Sequence, residues 1–174
     1  EISRLATARP DRSILVRPHP FENEDIYRKA LSHHGNVTVD GTGSVLDRIR
    51  NAAAVIHLNC GTAVESVLLG KVPLQLEHLN TPTTAGHATL PARVSRAVHS
   101  FEELLAAVDD IERETETFDF AGIHAAHIEA FFHLNDGRAA DRVADLLTET
   151  AKSRQPYLSL RATVTGIRTT PSLG

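Results

Sequence analysis

Five short apolar runs punctuate the chain: Ser13–Arg17, Asn36–Val39, Ala53–Leu58, Val72–Leu76 and Arg96–His99. The first four are rich in Val, Ile or Leu, and all are bounded by turn-forming residues, which is how strands of a parallel sheet read. The first stops at Pro18, and Pro73 sits near the start of the fourth, where a missing N–H is tolerated. The stretches between them carry helix signals. Asn23 is placed to cap a helix to about His34, with Glu24 and Asp25 in its first turn, where the helix dipole favours acids, and Gly35 after its end. Ser44, closing the turn Asp40–Ser44, caps Val45–Asn51, and Gly70 stops a helix over Thr62–Leu69. Ser100 caps Phe101–Arg113, with Glu103 at the capping-box position. Glu1–Ala8 reads as the end of a helix, and helices over residues 120–133 and 137–152 close the fold. Glu77–Arg93, rich in Thr, Pro and His and without a period, reads as a long functional loop.

Alternation of strand and helix specifies a parallel sheet with right-handed crossovers. The predicted fold class is therefore α/β, a Rossmann-like three-layer α/β/α domain over residues 1–152. Residues 153–174 are polar, rich in Thr and Ser, and lack an amphipathic stripe; they read as a tail or linker.

Composition narrows the class. A chain of 174 residues holds one well-buried core and is too short for two ordinary domains. The net charge of -4 leaves no basic face for a phosphate backbone, which excludes a nucleic-acid binder. One cysteine, Cys60, rules out a disulfide framework and fits a reducing compartment. No apolar run reaches about eighteen residues, so no membrane-spanning segment is expected, and no signal peptide is visible. The chain has no Met and opens inside a helix, which reads as the later part of a longer protein.

Two places carry candidate chemistry. The turn Asn59-Cys60-Gly61-Thr62 leads from the third strand into a helix, where free N–H groups and a partial positive charge attract phosphate. There Gly61 permits close backbone approach, Thr62 adds a hydroxyl, Asn59 adds an amide, and Glu65 lies one turn further on the same face, where it can accept from ribose hydroxyls. The stretch reads equally as an ordinary N-capped helix with a surface glutamate. The second place is Arg17-Pro18-His19-Pro20, in which two prolines hold the His19 imidazole on a stiff stalk beside Arg17. Both cations suit a phosphate, and an exposed proline-rich loop is the alternative. Ten histidines raise the question of metal, but His33 with His34, His124 with His127, and His78 with His87 do not match a closed zinc set. No GxGxxG, Walker or GxSxG motif is present. Nothing in the sequence ties a base to Cys60, which makes it a poor candidate nucleophile.

In order and spacing, ILVRPHPFENEDIYRKAL, AAVIHLNCGTAVESVLLGKVPLQLE, ARVSRAVHSFEELLAAV and NDGRAADRVADLL resemble the C-terminal half of bacterial surface-carbohydrate (capsule and O-antigen) biosynthesis proteins of the GT-B glycosyltransferase fold. The likeness runs from about Arg12 to Leu147, and Asn59–Pro73 is its most specific part. Related sialyl- and Kdo-transferases use a His-Pro motif for the donor phosphate and a Ser/Thr-bearing turn for the same nucleotide. The resemblance implies a CMP- or UDP-linked sugar donor held by Arg17, His19 and Pro20 on one side. On the other it implies Asn59, Gly61, Thr62, Ala63 and Glu65, with Glu65 on the ribose. Cys60-Gly61 stands where relatives often carry Ser or Thr. His19 would stabilise the leaving phosphate, no metal or other cofactor being required. The saccharide or lipid-linked acceptor would bind through an N-terminal domain that also brings the base, so this chain alone would bind donor without turnover. The implied location is cytoplasmic, peripheral at the inner membrane. A sugar-nucleotide epimerase of the same architecture, or a non-catalytic nucleotide-sugar-binding component of the capsule machinery, are the other readings.

Overall fold

The structure, a computed structural model, describes residues 1–85, 89–132 and 136–153. Its elements run α1 (Ile2–Ala8), β1 (Ile14–Val16), α2 (Glu24–Leu31), β2 (Val37–Val39), α3 (Val45–Asn51), β3 (Val55–His57), α4 (Thr62–Leu68) and β4 (Pro73–Leu76). After a 3-10 turn at Glu77–Leu79 come α5 (Pro82–Ala85), α6 (Thr89–Arg93), β5 (Arg96–Val98), α7 (Phe101–Glu112) and α8 (Phe120–Ile123). A π-helical turn, His124–Ile128, leads to α9 (Glu129–Phe132), and α10 (Ala139–Ser153) follows. His87, His133 and the expected tail over residues 154–174 lie outside the described residues. The chain divides into two units, the first Glu1–Ile128 and the second beginning at Glu129, and all five strands belong to the first.

Every strand pair is parallel, as the alternation predicts. The expected single sheet is two hydrogen-bonded groups among the described residues, β1 beside β2, and β3–β4–β5 with β4 in the middle. Helix α1 relates the two groups. Near its N-terminal end, Ile2 packs against the cluster of Val16, Leu31 and Val39. Just beyond its other end, the Arg9 and Arg12 carbonyls accept from Asn36, at the entrance to β2. Against the second group, Glu1 meets His78, which lies 3.2 Å from the Val98 carbonyl at the end of β5. Arg9 pairs with Asp109, in the last turn of α7. Helix α1 thus runs antiparallel to the strands of both groups, and their carboxyl ends emerge on one side.

Leu5, Val72, Leu74, Val98, Phe101, Leu104 and Ala107 form the main core, and Val16, Leu31 and Val39 a smaller one. Ile14 touches both and so joins β1 to the larger group. A third cluster gathers Ala63, Val64 and Val67 of α4 with Val94 and Ile128. Pro73, Leu74 and Gln75 are all buried, so β4 is covered on both faces, as a central parallel strand should be.

The caps follow the sequence closely. Asn23 accepts from the Asp25 N–H, Ser44 from Asp47 and Ser100 from Glu103. Glu103 departs from the capping box by one residue, accepting the His99 N–H at 2.7 Å instead of that of Ser100. Gly70, at φ 67°, ends α4 in a Schellman motif: Lys71 N–H reaches the Ser66 carbonyl and Gly70 N–H that of Val67. Three expectations need correction. Glu77–Arg93 is not irregular; the 3-10 turn, α5 and α6 fall within it, and Pro82 opens α5, where a fixed φ suits a first helical position. The stretch expected as one helix from residue 120 is interrupted by the π turn. An α-helix would turn Ile128 roughly 140° away from Ile123, whereas the wider π turn lets both join the cluster under α4. The last helix starts at Ala139 and not at Gly137, whose φ of 72° is left-handed.

Candidate functional site

On the carboxyl side, β1 delivers the Arg-Pro-His-Pro loop. Pro18 is buried and His19, directly after it, is exposed. The His19 N–H donates to Glu22 Oε2 at 2.7 Å and the Tyr27 hydroxyl to Glu22 Oε1 at 2.8 Å. These bonds, the backbone one first, hold the Glu22 carboxyl below its ordinary range, and the Glu22 contact pushes the Tyr27 hydroxyl up. The Phe21 N–H donates to His19 Nδ1 at 3.3 Å, which places the neutral ring's proton on Nε2. His19 therefore offers one N–H outward from a loop whose backbone is fixed.

Arg17 is engaged differently. Its guanidinium donates to the Thr42 and Gly43 carbonyls at 2.7 and 3.0 Å, fastening the end of β1 to the β2–α3 loop. That loop is organised by Asp40, which accepts from the Thr42 hydroxyl and N–H and from Arg48; the Thr42 hydroxyl contributes most to lowering its pKa. Glu24 takes the Gly41 N–H at 3.0 Å, and a Cβ at Gly41 would overlap the same carboxylate. Glu22, Glu24 and Asp40 thus bring three carboxylates to the edge that carries Arg17 and His19.

The β3–α4 turn is built from below. His57 is 7% exposed and Gln75, opposite it on β4, 2% exposed. Gln75 Nε2 donates to the Leu58 carbonyl at 3.2 Å, and the Cys60 N–H to His57 Nδ1 at 3.4 Å. Burial alone drives the His57 pKa down to about 4, so the ring is neutral. Beyond the turn, Gly61 is already helical in φ and ψ and supplies no side-chain cap. The Ala63 N–H donates to the Cys60 carbonyl and that of Val64 to the Gly61 carbonyl. Two of the N–H groups that a helix start would offer an anion are therefore bonded within the turn. Ala63, at 0% exposure, belongs to the core, and its N–H is already bonded within the turn. Asn59, Thr62 and Glu65 are half-buried at the turn. Among the described residues, the Thr62 hydroxyl and the Glu65 carboxylate have no bonded partner.

Two polar side chains that build the site, His57 and Gln75, are absent from the sequence-level candidates. The signal was available, because each is a polar residue inside an otherwise apolar run, and burying such a group is costly unless it is bonded. A cleft of about 380 Å³ lies at the opposite, amino end, lined by Arg9, Asp11, Arg12, Asp109, Glu112 and Arg113. Its arginines are paired internally, Arg9 with both Asp109 oxygens and Arg12 with Glu112 at 2.7 Å, so it serves to tie the entrance of β1 to α7. Among the described residues, no cluster of three or more His, Cys, Asp or Glu could hold a metal, and no helix is long and apolar enough to cross a membrane.

The architecture defines an α/β protein of parallel strands, with a His-Pro loop and a strand-to-helix turn on its carboxyl side. Comparison with protein families, with curated proteins and with solved structures finds no match.

Proposed function

We propose that this chain is the nucleotide-sugar donor-binding part of a GT-B-type glycosyltransferase of bacterial surface polysaccharide biosynthesis, a Rossmann-like three-layer domain that binds donor on the carboxyl side of its strands. The observation that carries the reading is the common direction of the two strand groups along α1, which brings the ends of β1 and β3 to one side. His19 Nε2–H is the donor to the leaving phosphate, Thr62 a second hydrogen-bonding group, and Glu65 the acceptor for ribose hydroxyls. Arg17 acts chiefly through the loop it fastens, two of its five N–H groups being engaged by backbone carbonyls. In this reading the acceptor and the catalytic base are supplied by residues other than those of the donor site. Binding then requires only positioning and donors aimed at the phosphate.

A calorimetric titration with CMP, UDP, GDP and CDP tests this. Saturable binding of CMP or UDP is expected. Absence of binding by all four contradicts the reading.

A further inference from the structure

His57, Ser66 and Gln75 are the buried polar side chains among the described residues, and two of them hold the β3–α4 turn. His57 does more than accept the Cys60 N–H. A ring nitrogen that accepts a backbone N–H carries no proton, so the neutral ring bears its proton on Nε2. That N–H donates to Ser95 Oγ at 2.9 Å, and the Ser95 proton goes to the Pro91 carbonyl at 2.6 Å. The direction of every bond is fixed: from the Cys60 amide to His57, from His57 to Ser95, from Ser95 to Pro91. This ordered chain runs from the turn to α6, which lies 29 residues or more further along the sequence (from Cys60 to Thr89). An apolar side chain would fill the position on β3 without the cost of burying an imidazole. Stability alone therefore gives no reason for a histidine there.

We propose that His57 is a positioning residue that sets the β3–α4 turn and couples it to α6, so that a ligand held at the turn and the placement of α6 depend on each other. The part concerning a ligand rests on the donor-site reading; the coupling itself does not.

The test uses the whole 174-residue chain, isotope-labelled for magnetic resonance. Near neutral pH the ring-nitrogen shifts of His57 are expected to report the Nε2–H tautomer, and the Cys60 amide to be protected from exchange. Ser95→Ala removes the distal acceptor without touching the turn. It is expected to speed Cys60 exchange roughly tenfold, the scale of one ordinary hydrogen bond, while protection in β4 and α7 is kept. His57→Asn retains an acceptor where Nδ1 stands but not the link to Ser95, and should lose protection only as far as Ser95→Ala does; His57→Gln retains a group only where Nε2 stands, has no acceptor for the Cys60 N–H and should lose protection fully. An Nδ1–H tautomer, or Cys60 exchange unchanged by Ser95→Ala, overturns the proposal. If Ser95→Ala melts the domain, the two His57 variants decide, and equal Cys60 exchange in them overturns it. Titrating CMP and UDP into the unsubstituted chain and Ser95→Ala separates the readings. Failure of the unsubstituted chain to bind contradicts the donor site alone, and equal binding by both proteins contradicts the link between α6 and ligand.

Discussion

Burial pushes the His57 imidazole down from the ordinary 6.5 to about 4. On unfolding the ring regains its ordinary affinity for a proton. Between those two values the unfolded chain binds a proton that the folded chain does not. Above pH 6.5 this group carries no penalty, and as pH falls to about 4 the fold loses stability through it, on the order of 3 kcal/mol in all. Urea unfolding across this range should show a steeper acid loss for the natural chain than for His57→Asn; matching pH profiles would show that the ring is not buried neutral. Arg17 gives a contrasting case. Arg17→Ala removes two bonds to loop carbonyls and should lower stability by about 1 kcal/mol, read as a melting shift with little direct effect on nucleotide affinity. A loss of affinity matching that of a phosphate ligand would move Arg17 into the site. At this scale the sequence puts Arg17 and His19 on one stiff loop, because two prolines leave it little choice. It could not tell that Arg17 faces carbonyls, since its partners, Thr42 and Gly43, are distant in sequence.

Elements were more legible than residues where local chemistry decides them. Asn23, Ser44 and Ser100 cap as their side chains and positions require, and Gly70 ends α4 in the left-handed conformation that glycine adopts most readily. Gly70→Ala should cost about 1–2 kcal/mol of stability, even though a Cβ there meets open space. No loss in thermal unfolding would mean the residue can leave that conformation freely. The π turn was not legible, because its cause is tertiary. Two isoleucines five apart reach one core only if the helix widens between them. The helices inside Glu77–Arg93 are short, and pieces of that length lack the apolar repeat by which longer helices are recognised. The start of α4 shows the same limit: a helix beginning with bonds from Ala63 to Cys60 and from Val64 to Gly61 has the same sequence as one with those N–H groups exposed.

For the molecule as a whole, alternating runs specify parallel strands, and burial of β4 on both faces follows from a run that is apolar but for Gln75. Leu74→Ala, in the middle of that strand at 0% exposure, should destabilise by about 2–5 kcal/mol; a smaller loss in chemical denaturation would show that the core closes around the gap. The division of the strands into two hydrogen-bonded groups does not follow from the pattern, because pairing between strands far apart in sequence leaves no local trace. What survives that division is the common carboxyl side, set by α1 against both groups, and the donor site proposed there depends on it. His19 is its most exposed test: an N–H held outward by a backbone that Glu22 and Phe21 fix. Calorimetry of CMP and UDP against the natural chain and His19→Ala measures it directly. Binding by the natural chain, weakened by about 1.5–3 kcal/mol in the variant at unchanged melting temperature, is the result predicted. Equal affinity in the two proteins would contradict it.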